Sequence, residues 1–177
     1  MPNYQAPGIY IIEEPNVSNT LMMAGTSTTA FAGIAPAKGN VVNQAIACNN
    51  WAEFCKTFVT EDSKSTDLSN AIFSFFNNGG SRCYVVNIGD KGTIAGDARD
   101  RSGLCAFETI DEIAIVVAPG YIDAISQDAL ITHCENLGDR VAILDAPEEV
   151  SNIDSLKELN TITEKEPGKS IEGTTSK

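Results

Sequence analysis

The sequence predicts an α/β fold: a mixed, largely parallel sheet flanked by helices, with an extended N-terminal arm. Three observations carry this. Between residues 66 and 88 an amphipathic helical stretch passes through a glycine turn into a short apolar strand. Between residues 113 and 145, strand, helix and strand follow one another with short links, the pattern of a βαβ unit. Residues 1–20 are punctuated by Pro2, Pro7 and Pro15, which supply no amide donor and favour extended chain over helix.

The arm comes first. Gly8-Ile9-Tyr10-Ile11-Ile12-Glu13-Glu14 is a strand by composition, apolar on both faces. Burying Ile9, Tyr10, Ile11 and Ile12 is worth on the order of 6–12 kcal/mol at ~1.5–3 each, so something must cover them. Either the strand forms an edge of its own domain, or it is donated to a neighbour through main-chain hydrogen bonds.

Ala30–Ala35 then reads as a strand of small and apolar residues, turned by Pro36-Ala37-Lys38-Gly39, and Val41–Ala47 as a second strand. Asn50 caps a helix over 51–58, with Glu53 at the capping-box position. Its Trp51, Phe54, Cys55 and Phe58 share one face, an aromatic stripe that belongs to a core. Thr66 caps the next helix, over 67–77, in which Leu68, Ala71, Ile72, Phe75 and Phe76 form the apolar face. Asn77-Asn78-Gly79-Gly80 ends it. Arg82–Ile88 is a strand of the kind covered on both faces. Residues 89–103, with Gly92, Gly96 and Gly103 among them, read as a flexible surface segment. Ile113–Ala118 is a further buried-type strand. A helix over 122–137 follows, with Ile122, Ile125, Ala129, Cys134 and Leu137 inward and Gly138 as its stop. Arg140–Asp145 is the next strand, and Val150–Leu159 has the pattern of one more amphipathic helix. Phe75, Phe76, Tyr84, Val86, Ile115, Val117 and Ile143 are the expected core. The chain therefore divides into an arm (1–20), an α/β core (21–160) and a polar tail (161–177) with the composition of disorder.

The 177 residues suffice for one domain that buries about 70% of its unfolded surface. The net charge of −12 is uneven: residues 1–88 hold four Lys+Arg against six Asp+Glu, and the remainder eight against eighteen. Nucleic acid and anionic membranes need clustered positive charge, so neither is an expected partner. Five cysteines without a CxxC pair or a secretory signal point to free thiols in a reducing cytoplasm. No apolar run approaches the ~20 residues of a membrane helix.

The search for chemistry finds no constellation. His133 is the single histidine, which excludes a multi-His metal site. Cys134 beside it points about 100° away on a helix, so the two do not form a dyad. Gly168-Lys169-Ser170 has Thr163 where a phosphate loop needs its first glycine, and no strand precedes it. No GxGxxG follows a strand. Asp145 reads as a turn or cap residue. Glu13 and Glu14 point to opposite faces of a strand, unsuited to paired acid–base work. The expectation is a non-enzyme without metal or cofactor. The rival is a small doubly wound α/β enzyme or ligand-binding domain, with its pocket at the strand C-termini.

Three segments carry a family resemblance: FFNNGG followed by the CYVV strand, the opening PNYQAPGIYIIEE, and APGYIDAISQDALITHCENLGDRVAILDAP. In that order they resemble the contractile tail sheath proteins of phages and phage-like injection particles, over most of residues 1–147. The resemblance implies a structural subunit, assembled in the bacterial cytoplasm into a virion tail or injection particle. Its partners would be other sheath subunits, an inner tube protein, and a baseplate or terminator cap. It further implies that Tyr4, Gly8, Ile9, Tyr10, Ile11, Ile12, Glu13 and Glu14 link adjacent copies, since sheath termini interlock. The sequence departs from the family after Glu148, where nothing resembles the family's further region and C-terminal arm.

Overall fold

The computed structural model describes residues 27–148. The arm, the 150–159 segment and the polar tail lie outside the described residues. Five strands form one sheet in the order β2-β3-β1-β4-β5: β1 is Thr29–Gly33, β2 Ala45–Cys48, β3 Cys83–Asn87, β4 Ile115–Val117 and β5 Val141–Ile143. β3, β1, β4 and β5 run parallel, and β2 is antiparallel to β3. The expected mixed, largely parallel sheet is observed, and segments 82–88 and 113–118 share it through β1.

Period-two alternation sorts the strand side chains into two cores. Phe31, Cys83 and Val85 face α1 (Trp51–Phe58) and α2 (Asp67–Asn77), where Phe54, Phe58, Leu68 and Ile72 are buried. Ala30, Ala32, Tyr84, Val86 and Val116 face the opposite side, against Leu130 and Cys134 of α3 (Ala124–Leu137) and Leu104 and Phe107 of a 3₁₀ turn at Gly103–Phe107.

The caps follow from local chemistry. Thr66 Oγ1 accepts from the Ser69 amide while Ser69 Oγ accepts from the Thr66 amide, a reciprocal box at the start of α2. Asn50 Oδ1 accepts from the Glu53 amide as expected, but the Glu53 carboxylate accepts from the Asn49 amide and the Asn49 and Asn50 side chains. Those bonds, the Asn49 amide first among them, lower the Glu53 pKa. Gly138 ends α3 with φ +69°, a left-handed position that strains any residue with a Cβ.

Several expectations are corrected. The strand predicted over 41–47 is confined to Ala45–Cys48, because Val41 and Asn43 take positive φ. Phe75 and Phe76 are half-buried at the flank of α2, and Phe75 meets Phe31 edge-on at 5.6 Å between ring centres. Ile115 and Val117 are also half-buried, and Ile143 is 50% exposed. Of the residues expected to be mostly buried, Tyr84 and Val86 are buried outright, Phe75, Phe76, Ile115 and Val117 are largely covered, and Ile143 is the one that departs. The inward face of α3 is rotated from the prediction: Gln127, Leu130, His133 and Cys134 point in, while Ile122 and Ile125 are exposed. The 89–103 segment is anchored as well as exposed. Ile94 is buried, its carbonyl accepts from the Leu104 amide, and Gly96 has φ +69° with its α-carbon against the Ser102 carbonyl.

Candidate assembly surface

The C-terminal ends of the parallel strands are where α/β folds place ligand sites. Here that end is closed by backbone-directed side chains. Asn87 is fully buried; its Oδ1 accepts from the amides of Ala35 and Gly89, both at 3.0 Å. Its Nδ2 donates to the carbonyls of Lys38 at 3.1 Å and Asn40 at 2.8 Å. One side chain thus holds the turn after β1 against the end of β3. At β5, the Asp145 carboxylate accepts from the Gly120 amide at 2.7 Å, and its carbonyl accepts from Gln127 Nε2 at 2.8 Å. Asp145 is the turn residue its sequence position suggested. Sequence reasoning passed over Asn87 and Gln127; for Asn87 a lone polar residue inside an apolar run was the available signal, whereas Gln127 sits between Ser126 and Asp128 and gave none.

Between the ends of β1 and β4 lies a small crevice lined by Ile34, Lys38, Thr66, Asp67, Gly120 and Tyr121. Burial raises the Tyr121 pKa, and Asp123 and Asp67 add to it. Lys38 is drawn out to Asp90 at 2.6 Å. Among the described residues no group of three or more His, Cys, Asp or Glu could hold a metal ion. Cys48 and Cys83 are register partners across β2 and β3, and burial raises their pKa values to about 11 and about 12. Such thiols carry negligible thiolate and are poor nucleophiles. His133 is buried with its Nε2 lacking a hydrogen-bond partner among the described residues. Burial first, and Arg140 second, lower its pKa.

What the described surface does offer is sheet edge and apolar face. β2 pairs with β3 alone and β5 with β4 alone, so each outer strand keeps one edge unpaired within the sheet. β5 is the more apolar, with Val141 61% and Ile143 50% exposed. Unpaired N–H and C=O groups beside exposed aliphatic side chains form a template for adding a strand. The arm residues expected to link subunits, Tyr4 and Gly8–Glu14, lie outside the described residues.

No family model matches the chain, and no curated protein matches it. Solved structures do. A chain in a structure of the anti-feeding prophage baseplate in its contracted state superposes with a TM-score of 0.61 at 20% identity, over 88% of this chain and 44% of that one. A chain in a structure of the anti-feeding prophage helical sheath in its contracted state gives 0.53 at 20% identity, over 84% and 43%. The fold is shared with chains of two structures from one contractile particle. More particularly, it is a fold found in the sheath and baseplate structures of the anti-feeding prophage, and it agrees with the sheath resemblance carried by the three sequence segments. This chain spans less than half the length of either matched chain.

Proposed function

We propose that this chain is a structural subunit of a contractile tail sheath. It assembles helically with other sheath subunits around an inner tube, meets a baseplate or terminator cap at an end, and takes part in the contraction that drives the tube through a target envelope. The observation that carries this reading is the shared fold with the anti-feeding prophage sheath and baseplate chains over 84–88% of this chain. The three sequence segments in family order support it.

In this reading residues 3–14 leave their own body and pair with a strand of the neighbouring copy. The segment is terminal, extended by its prolines and too apolar for water. Each subunit donates once and receives once, a heterologous contact that propagates without closing, as a helical array requires. The test is deletion of residues 1–14, followed by circular dichroism and negative-stain microscopy of co-assembly with full-length subunits. A folded protein that no longer enters tubes is the expected result. Normal assembly would remove the arm from the linkage, and an unfolded product would return the strand to its own core. Discrete monomers from the full-length chain under assembly conditions would favour the ligand-binding rival.

A further inference from the structure

The two faces of the sheet are covered unequally. Over β4 and β5, one face is closed by α3, against which Val116, Ala142 and Leu144 pack. On the other face α2 stops short. Ile115 and Val117 are half-buried there, and Val141 and Ile143 are mostly in water. The register pairs Ile115 with Val141 and Val117 with Ile143, so the four aliphatic side chains form one continuous patch. Parallel strands joined by a helical crossover are normally covered on both faces, and such a patch calls for an occupant.

The chain itself leads there. Clamped by Asp145, it leaves β5 at the C-terminal end of the sheet. Ala146 and Glu148 then line a groove with Asn70 and Ala71 of α2, on the same side as the bare patch. Apolar residues recur in the following sequence at every third position, Val150, Ile153, Leu156 and Leu159; on an α-helix these spread over half the circumference, with Ile153 and Leu156 at the centre of the apolar side. Pro147, Glu148 and Glu149 precede them and Lys157 falls near the end, charges placed as a helix dipole favours. Ten helical residues span about 15 Å. The three-residue strands β4 and β5 span about 10 Å, so such a helix is long enough to cover both.

We propose that residues 150–159 of the same chain dock, apolar side down, on the face made by Ile115, Val117, Val141 and Ile143, beside α2. Tethering by a few residues gives this segment a local concentration that a second copy, itself carrying net charge −12, does not reach. Docking on the face leaves the outer edge of β5 free, so the surface is distinct from any strand-addition edge.

The test uses the full chain with Ile143→Cys and Leu156→Cys, in a background where the half-buried Cys55 and Cys105 are replaced by serine, treated with a short bismaleimide. The expected product is a monomer-sized, internally linked chain whose yield does not change on dilution, with peptides joining positions 143 and 156. A link between two chains, or no link beyond that of an unfolded control, overturns the proposal. A second readout comes from Ile143→Asp and Leu156→Asp, singly and together. Each should lower the urea midpoint, and the pair should lower it by less than the sum. Additive shifts would mean the two positions do not touch.

Discussion

The two halves of the sheet differ in how they are built. In β2-β3-β1, the strands are four or five residues long, every residue of β1 and β3 is buried, and packed elements close both faces. In β4-β5, the strands are three residues each, and only Val116 among their six residues is fully buried. Both halves nonetheless read alike in sequence, as short runs of Val, Ile and Ala. An apolar run states that a strand will be buried by something; it does not state whether the cover comes from the same domain, from a later segment or from a neighbour.

The sharpest way to break this comparison is a truncation in the closed half. Phe54 is fully buried between Trp51 and Phe58, stacked on the first at 5.0 Å. Phe54→Ala should cost roughly 3–5 kcal/mol, read as a lowered denaturant midpoint at constant slope. Phe75→Ala, at the half-buried flank of α2, should cost clearly less. Equal losses would mean that the flank of α2 is covered.

Asn87 tests the closed half in a different way. Asn87→Ala strands the amides of Ala35 and Gly89 and the carbonyls it now serves in a buried turn. At ~1–3 kcal/mol per stranded buried group, the loss should be about 2–5 kcal/mol. Hydrogen exchange should quicken first at the amides of Ala35 and Gly89. A midpoint shift confined to a few tenths would mean water replaces the side chain and that the turn is not buried as described.

How much of this was legible follows from the physics of each element. The caps of Thr66, Asn50 and Gly138 were legible because capping is local, set by residues within one turn. The parallel sheet was legible because strands alternating with amphipathic helices have few solutions. The face of α3 was not. Its buried side includes Gln127, whose partner Asp145 lies 18 residues along the chain, and His133, so the apolar pattern rotates away from the true contact face. The Asn87 hub was hidden for the same reason, since its partners lie some fifty residues away. The candidate linkage residues were legible only through a resemblance, because no local pattern in residues 1–20 states what an apolar strand will pair with.

His133 gives a pH test of that buried polar face. Burial and Arg140 hold the imidazole below its ordinary value of 6.5, while Glu108 and Asp139 oppose this. The unfolded chain therefore binds a proton at higher pH than the folded one. The stability gained from neutral His133 is complete above about pH 6.5 and is lost as pH falls through the folded pKa. Asp123 and Asp139 are also depressed, by hydrogen bonds from the Ser126 amide and from Arg140, but they act below the carboxylate value of 3.8. Denaturant midpoints measured from neutral to mildly acid pH should fall for the native chain and stay flatter for His133→Gln. A parallel fall in both would locate the effect elsewhere.

The smallest expected effect lies on the same helix. Leu130 is 1% exposed and Ile125 is 77% exposed, although the apolar pattern alone places Ile125 inward. Leu130→Ala should cost about 2–5 kcal/mol as a core truncation. Ile125→Ser should change stability by no more than about 0.5 kcal/mol, because an exposed side chain loses little contact and serine is only slightly less helix-favouring than isoleucine. The pair of variants reads the rotation of α3 directly, since a helix turned to the sequence-predicted face would reverse their order. A loss at Ile125 comparable to that at Leu130 in the isolated subunit would mean that a segment of the same chain covers this side of α3 as well, and the contrast between a closed and an open half of the sheet would narrow to the face of β5.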